Sequence, residues 1–239
     1  MVRKGKTEVR GTAWKMQWYE KARRWLVNHA RDCTPENQPR RWSNAVLHRV
    51  GPLFEGVVLN VSGWRDEDKQ EGHYRDYFPN ARSYSITNYW GTDSYNDGSP
   101  DSLFLDLEAP LPESMHGICD LAWTHTVLEH VRDVETAFRN LGALTRDAMM
   151  VVVPWIQDEH YTPGLYGDYW RFTPLGVQRL MKMAGLELLY LDANDQPWYP
   201  VYLFAIGSKI IWNWEGRFPD IDWHRRLGRN QYNFPGCIS

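Results

Sequence analysis

Long apolar runs and cysteines are both scarce in this chain. The sequence has no stretch of about 18 consecutive apolar residues, which excludes a transmembrane helix, and its N-terminus carries no hydrophobic signal segment. The three cysteines, Cys33, Cys119 and Cys237, are widely spaced and odd in number, which favours a reducing compartment over a disulfide framework. We therefore expect a soluble, cytoplasmic protein that does not associate with membranes.

Aromatic residues, by contrast, are abundant, with 13 Trp and 13 Tyr among 239 residues. They indicate either a large aromatic core or an aromatic binding cleft or subunit interface, and the sequence leaves both open, including a homodimer. The hydrophobic content of 43% and the charged content of 24% are ordinary for a globular protein. The length suits one α/β domain with extensions.

Charge is distributed unevenly along the chain. Residues 1–43 contain eleven Lys and Arg against four Asp and Glu, although the whole chain has a net charge of −3. A basic arm of this kind can meet nucleic acid, an anionic substrate or an acidic protein surface. No nucleic-acid-binding module accompanies it, so we do not expect nucleic acid as a partner. We expect the arm to lie on the acidic remainder of its own chain.

The stretch from Cys119 to Pro154 predicts a strand, a polar loop, a helix and a second strand. Its two apolar runs, Cys119–Trp123 and Met149–Val153, are typical of parallel strands that are covered on both faces. Between them, apolar residues recur at helical spacing at Leu128, Val131, Val134, Phe138, Leu141 and Leu144. The polar loop Thr124–His130 then lies at the carboxyl end of its strand, where α/β sheets bind ligands.

The remaining elements follow from the same kind of pattern. We predict strands at Gly56–Val61, Ala81–Thr87 and Leu103–Leu105, and an antiparallel closing pair at Leu186–Leu191 and Val201–Ile206. We predict helices at Thr12–His29, Trp42–Val50 and Leu175–Ala184, the last with Thr173 as N-cap and Pro174 in its first turn. Residues 34–41 are predicted to be a linker.

Four blocks of sequence resemble the class I S-adenosylmethionine-dependent methyltransferases. They are VLEHV at 127–131, an apolar strand that ends in Val153-Pro154, DYWRFTP at 168–174, and Ala184-Gly185-Leu186. The resemblance covers roughly residues 57–207. It implies a Rossmann-like α/β fold whose seven-stranded sheet is mostly parallel with a closing antiparallel strand. It divides the chain into a basic helical extension at 1–50, the methyltransferase-like domain at 51–208, and an aromatic tail at 209–239 that packs on it.

The resemblance also implies S-adenosylmethionine as cofactor. The residues that match cofactor-binding positions of the family are Asn60, Ser62 and Gly63 after the first strand, Thr87 after the second, Asp106 and Leu107 after the third, and Thr124 after the fourth. In the family the first two strands end in acids, and a glycine-rich turn followed by a helix comes after the first. This chain has Asn60 and Thr87 in place of the acids, and Gly63 is what remains of the glycines.

The loop at 155–170 holds the candidate substrate residues. Tyr161, Tyr166 and Asp168 give it aromatic and polar groups, and loops longer than about 12 residues are often functional lids. A neutral histidine can take the proton of a hydroxyl, so His125 and His160 are the candidate general bases. The predicted function is methylation of a small molecule or a sugar, with oxygen as the favoured acceptor.

Two alternatives stay open at this point. A non-catalytic chain that has lost cofactor binding and acts as a scaffold would explain the altered positions Asn60, Ser62 and Thr87. Some related methyltransferases bind a divalent metal with E-x-x-E-H; here Thr126 replaces the first Glu, which leaves Glu129 and His130 with His125 or His160. Two adjacent ligands make a poor chelate, so the sequence predicts no metal site.

Overall fold

The computed structural model of the protein describes residues 38–90, 102–194 and 201–218. The predicted helix at 12–29 and the tail beyond residue 218 lie outside these ranges. Across the part of the chain that is described, no helix combines the length and the apolar character that crossing a membrane requires.

The predicted seven-stranded α/β sheet is confirmed. Its strands are β1 (Val57–Asn60), β2 (Ser83–Asn88), β3 (Leu103–Phe104), β4 (Cys119–His125), β5 (Thr145–Pro154), β6 (Glu187–Ala193) and β7 (Tyr202–Ser208). Their order is β3-β2-β1-β4-β5-β7-β6. The first five strands pair in parallel, whereas β7 is antiparallel to both β5 and β6.

Helices cover both faces of the sheet, which explains why β5 reads as a continuous apolar run. Val151 and its alternate neighbours face the core shared with α2 (Val134–Leu144) and α3 (Pro174–Met183). Met150 and its alternate neighbours face a second core, which α1 (Pro39–Val50) covers. Because both faces of the sheet are buried, neither set of positions in β5 can be polar.

Two element boundaries differ from the prediction. Strand β4 continues through His125, so Thr124 and His125 belong to the strand and not to the polar loop, because both pair with β5. Helix α1 begins at Pro39, three residues before the predicted start, and includes part of the predicted linker. A proline is well tolerated there, since the first-turn amides of a helix have no partner within the helix.

The helix after β4 also begins later than predicted. Glu129 and His130 lie in a separate 3₁₀ turn, Leu128–His130, and α2 begins at Val134. Asp133 is the N-cap of α2, because its side chain accepts the Thr136 amide at 3.0 Å. The helical spacing of apolar residues therefore extends further towards the N-terminus, to Leu128, than the helix itself does. The predicted cap of α3 is confirmed, with Thr173 accepting the Gly176 amide at 3.1 Å.

The connection from β1 to β2 contains no α-helix, although the resemblance implies one after the turn. Residues 61–82 form turns and one 3₁₀ turn, Tyr74–Tyr77. Five non-glycine residues of this connection have positive φ, namely Ser62, Trp64, Asp66, Lys69 and Glu71. Such angles persist only where surrounding contacts compensate for their cost. Here the compensation comes from buried hydrogen bonds to Asp66, described below.

Candidate functional site

A cavity of about 440 Å³ lies at the carboxyl edge of the parallel strands. Its walls come from Ser62, Tyr89, Leu105, Asp106, Leu107, Glu108, Val127, His130, Val131, Arg132 and the 161–167 segment with Tyr169. Pockets of roughly 300–1,000 Å³ are typical for small-molecule ligands. The volume and the position beyond the strand ends are both those of a ligand site in an open α/β sheet.

The segment after β3 forms one wall of the cavity. Asp106 is partly exposed, and its Oδ1 accepts the Glu108 amide at 2.8 Å. The neighbouring Leu107 side chain is buried. The Glu108 carboxylate accepts the amides of Arg132 and Asp133, each at 2.8 Å, and so joins this wall to the start of α2. An anionic acceptor and an apolar surface thus lie side by side.

The turn after β1 is closed against the end of β2. The Ser62 amide donates to Thr87 Oγ1 at 3.2 Å and the Gly63 amide donates to the Thr87 carbonyl at 3.1 Å. The Trp64 amide donates to Asn88 Oδ1 at 2.7 Å, and Asn88 Nδ2 donates back to the Trp64 carbonyl at 3.0 Å. Thr87 is fully buried. The amides that such a turn could offer to an anion therefore already have acceptors.

Buried polar groups hold this turn from below. Asn60 Nδ2 donates to Asp66 Oδ1 at 2.9 Å, and the Tyr84 hydroxyl donates to the same oxygen at 2.6 Å. The amide and Nε of Arg75 donate to Asp66 Oδ2, both at 3.1 Å. A Cβ at Gly63 would lie 2.4 Å from Asn60 Nδ2, so this close approach requires glycine. Asn60 and Gly63 thus lie behind the cavity wall.

Thr124 and His125 are also enclosed. Thr124 is fully buried, and its hydroxyl donates to the Val61 carbonyl at 2.9 Å, which joins β4 to the end of β1. His125 lies beneath α1, where Arg40 Nη1 is 2.6 Å from its Nδ1 and Ser43 Oγ is 2.8 Å from its Nε2. His125 is not among the residues that line the cavity.

The partners of His125 determine its protonation. A guanidinium can only donate, so Nδ1 accepts from Arg40, and Nε2–H donates to Ser43 Oγ. The Ser43 hydroxyl in turn donates to the Arg40 carbonyl at 2.9 Å. Burial, and then the positive charge of Arg40, hold the pKa of His125 well below its usual value. The imidazole is therefore neutral at physiological pH.

The turn between β4 and the 3₁₀ turn contains a backbone outlier. Thr126 has a φ of 51°, which is rare for a β-branched residue. Its amide donates to the Val152 carbonyl at 2.8 Å, and its hydroxyl accepts from Arg40 Nη2 at 3.2 Å. These contacts hold the sharp turn that places Glu129 beneath the loop after β5. Strain of this type concentrates at functional sites.

Arg171 holds the loop at 155–170 over the cavity. Its Nη1 and Nη2 donate to the two carboxylate oxygens of Asp168, each at 2.6 Å. The same guanidinium donates to the carbonyls of Gln157 and Asp158 at 2.8 and 2.9 Å. The Asp168 side chain is shielded from solvent. Burial would raise the pKa of Asp168, but its hydrogen bonds with Arg171 and the His160 amide lower it. Asp168 is therefore an ionised internal contact of the loop.

Glu129, His130 and His160 meet where this loop crosses the 3₁₀ turn. Glu129 is fully buried, and its two carboxylate oxygens have no hydrogen-bond partner among the described residues. His130 Nε2 lies 3.8 Å from Glu129 Oε1, and His130 Nδ1 lies 2.6 Å from the Gly167 carbonyl. His160 Nδ1 lies 3.1 Å from Asp168 Oδ2, although the angle does not suit a hydrogen bond.

Burial changes the pKa values of this cluster. It raises the pKa of Glu129 to about 8, so a carboxylic acid is favoured at neutral pH when nothing else compensates its charge. Burial also lowers the pKa of His130, despite the hydrogen bond to the Gly167 carbonyl. His130 is consequently neutral at physiological pH, with a lone pair on Nε2.

The structure brings five of the twelve predicted site residues to the cavity: Ser62, Asp106, Leu107, Tyr161 and Tyr166. The other seven do not line it: Asn60, Gly63, Thr87, Thr124, His125, His160 and Asp168. Sequence reasoning did not include Tyr89, Glu108 or His130 among the site residues. Glu108 follows Asp106 by two residues, which was the available signal; nothing local indicated Tyr89.

Comparisons with known proteins extend this description. No protein-family model matches the sequence, and no curated protein matches it. A methyltransferase of Haloferax volcanii, solved with the Trm112 activator, superposes with a TM-score of 0.52 at 14% identity, over 73% of this chain and 91% of that one. A Clostridium acetobutylicum S-adenosylmethionine-dependent methyltransferase gives 0.50 at 8% identity, over 80% and 98%.

A third solved structure is the 1,6-didemethyltoxoflavin-N1-methyltransferase of Burkholderia thailandensis with its substrate and S-adenosylhomocysteine. It has a TM-score of 0.48 at 16% identity and covers 87% of this chain and 93% of that one. At these levels of identity the comparison concerns the fold. The fold is the Rossmann-like fold of class I methyltransferases, as the sequence predicted.

Proposed function

We propose that this protein is an S-adenosylmethionine-dependent methyltransferase that acts on a small molecule. The observation that supports it most directly is the position of Asp106 and Leu107. They follow β3 in a sheet with the methyltransferase strand order, and they line a cavity large enough for a small-molecule ligand. Asp106 Oδ1 is bound by the Glu108 amide, so we assign Oδ2 to the adenine amino group and the Leu107 surface to the ring.

The other end of the cavity sets the geometry of the transferred group. S-adenosylmethionine, when bound, supplies an electrophilic methyl group whose bond to sulfur breaks as the acceptor atom takes the carbon. Ser62 borders the cavity there, and its amide is held by Thr87. Tyr161 and Tyr166 also line the cavity, where they would orient the acceptor and exclude water. Alignment of this kind provides most of the acceleration that a methyl transfer needs.

We propose oxygen of a small molecule or a sugar as the acceptor. The proton of such a hydroxyl needs a base at the cavity, and a positioned base contributes roughly 100-fold or more. His125 is enclosed beneath α1 by Arg40 and Ser43. We therefore assign the role of base to His160 and its neighbour His130. His130 Nε2 carries the lone pair, because Nδ1–H donates to the Gly167 carbonyl.

Calorimetric titration with S-adenosylmethionine and S-adenosylhomocysteine tests the proposal. We expect micromolar dissociation constants, and a loss of about 10- to 100-fold in Asp106→Ala, the size expected for one hydrogen bond to a charged group. Glu113→Ala is the matched control, because Glu113 is an exposed acid on the same connection that lies outside the cavity. Equal affinities for Asp106→Ala and Glu113→Ala would contradict the assignment of Asp106.

A non-catalytic scaffold is the second candidate, and the closed turn after β1 favours it. The Ser62, Gly63 and Trp64 amides already bind Thr87 and Asn88, so they offer a carboxylate little unless the turn opens. A folded sample that shows no heat with either ligand, and no co-purified S-adenosylhomocysteine by mass spectrometry, would support this candidate. The basic residues of the N-terminal arm would then be the place to look for a partner.

A further inference from the structure

Three potential metal ligands converge beside the cavity: the adjacent Glu129 and His130, and His160 from the loop after β5. One ligand atom each from Glu129, His130 and His160 lies within 4.8 Å of the other two. The Glu129 side chain is fully buried, and both of its oxygens lack a hydrogen bond among the described residues. A buried carboxylate without a partner is costly, so a compensating cation is expected.

The surroundings prepare the two imidazoles as ligands. Gly167 accepts from His130 Nδ1 at 2.6 Å, which directs the lone pair of Nε2 towards Glu129 Oε1, 3.8 Å away. A histidine that ligates a metal commonly donates its other N–H to a carbonyl or carboxylate in this way. His160 Nδ1 is a buried nitrogen that forms no hydrogen bond with the part of the chain that is described, and Asp168 Oδ2 lies 3.1 Å from it.

We propose that Glu129, His130 and His160 bind one divalent transition-metal ion through a carboxylate oxygen and two imidazole nitrogens. This donor set suits Zn²⁺ or Co²⁺ and not Mg²⁺ or Ca²⁺, which prefer oxygen ligands. Ligands at about 2.1 Å from a tetrahedral ion are about 3.4 Å apart. A contraction of up to about 1.4 Å from the present spacing of at most 4.8 Å therefore completes the site, and the 155–170 loop, which carries His160, can supply it.

The site has a position for a further ligand. Three protein ligands leave at least one coordination position open, as in catalytic zinc sites. His130 lines the cavity, so an oxygen of a molecule in the cavity can take that position. This role of the metal rests on the proposed function, and there the bound ion takes the place of the histidine base: a hydroxyl acceptor bound to the ion loses its proton to water more readily, before its oxygen takes the methyl group from sulfur. The substrate class is then a small molecule that offers a hydroxyl oxygen to a metal.

Titration of chelator-treated protein with ZnCl₂, followed by calorimetry and thermal unfolding, tests the site. We expect one equivalent to bind and to raise the Tm, because a ligand that binds the folded state stabilises it. MgCl₂ should do neither. Replacing Zn²⁺ by Co²⁺ should give the ligand-field absorption of a four- or five-coordinate ion, a signal that needs no enzymatic activity.

Variants distinguish this site from an incidental surface site. Glu129→Gln keeps the shape of a buried side chain, and the His160 side chain is 41% exposed, so both variants should fold without metal. Each should weaken zinc binding by about 100-fold, whereas His116→Ala, which changes an exposed histidine, should leave it unchanged. Absence of stoichiometric zinc binding by the unaltered protein, or unchanged binding by Glu129→Gln and His160→Ala, would overturn the proposal.

A titration with S-adenosylhomocysteine on the same samples separates the two proposals. Zinc binding without binding of this ligand would leave the metal site intact and contradict the methyltransferase. Binding of this ligand without zinc binding would contradict the metal site alone.

Discussion

The turn after β1 and the segment after β4 border the same cavity, but they differ in whether their buried polar atoms are hydrogen-bonded. Around the first, the Asp66 carboxylate accepts from Asn60 and Tyr84, and the Thr87 hydroxyl accepts the Ser62 amide, so these buried polar groups are hydrogen-bonded. Around the second, Glu129 is buried and neither of its oxygens accepts a hydrogen bond from the described residues, and the nearby His160 Nδ1 forms no hydrogen bond with them either. Satisfied buried groups stabilise a fold, whereas unsatisfied ones are candidates for binding something that the chain itself does not provide.

The largest effect on stability should come from removing Asp66, the acceptor that Asn60 and Tyr84 share. Asp66→Ala removes a fully buried carboxylate that accepts four hydrogen bonds, and it leaves Asn60 and the Tyr84 hydroxyl without an acceptor. We expect the free energy of unfolding to fall by about 3–5 kcal/mol in urea titrations, because each buried donor that loses its acceptor costs about 1–3 kcal/mol. Asp76→Ala, at an exposed acid of the same connection, should change it by less than about 0.5 kcal/mol.

The second effect concerns the loop that covers the unsatisfied cluster. Arg171→Ala leaves the shielded Asp168 carboxylate without its bidentate partner, so we expect a loss of about 2 kcal/mol. The amides of residues 155–170 should exchange faster with deuterium, while those of β5 stay protected. Arg179→Ala, at an exposed arginine of α3, is the control. Unchanged exchange in Arg171→Ala would show that this arginine does not hold the loop.

The third effect is a pH dependence of stability that comes from His125, which is buried beneath α1. The pKa of folded His125 lies below the value of about 6.5 in an unfolded chain, because burial and the adjacent Arg40 disfavour its charged form. The unfolded state therefore binds more protons, and stability is lost as the pH falls below 6.5 towards the folded pKa. The slope is at most about 1.4 kcal/mol per pH unit for one group.

Comparison with variants isolates this contribution in denaturation curves between pH 7 and pH 5. His125→Gln should show a shallower loss of stability than the unaltered protein. His116→Gln, at an exposed histidine, should reproduce the slope of the unaltered protein. A slope for His125→Gln equal to that of the unaltered protein would mean that His125 titrates normally in the fold.

The smallest effect concerns the Thr87 hydroxyl, which either stabilises the turn after β1 or binds the cofactor. Thr87→Val removes the hydroxyl that accepts the Ser62 amide at 3.2 Å, and it should cost about 1 kcal/mol of stability. Because Thr87 is fully buried, we expect the affinity for S-adenosylhomocysteine to stay within about twofold, measured beside Ser85→Ala as control. A tenfold loss of affinity in Thr87→Val alone would instead assign Thr87 to the ribose.

Much of the fold could be predicted because its signals are local. The apolar run of β5 identified a strand buried on both faces, and Thr173 and Pro174 marked the start of α3. The end of β4 and the start of α2 could not be predicted, because they depend on competition between contacts. His125 continues the ladder with Val152, and Asp133 caps α2 in place of a residue nearer Glu129. Such competition is decided by partners that are distant in sequence.

The candidate site divides in the same way. Asp106, Tyr161 and Tyr166 were predicted to border a ligand site, and they line the cavity because loops at strand ends converge on one edge of a parallel sheet. The orientation of His125 could not be predicted, since it depends on Arg40, which lies 85 residues earlier. Asp168 was predicted to contact substrate, but it is paired with Arg171 inside the loop.

The sequence by itself determined the order of strands and helices and the edge of the sheet where a ligand can bind, because apolar periodicity and capping residues act over a few positions. The tertiary structure alone decided which polar groups are satisfied. It closed the turn after β1 with Thr87 and Asn88, and it brought His160 to Glu129 and His130. Which groups form hydrogen bonds with one another, or could bind a metal together, depends on their distance in space, and groups distant in sequence come close only when the chain folds.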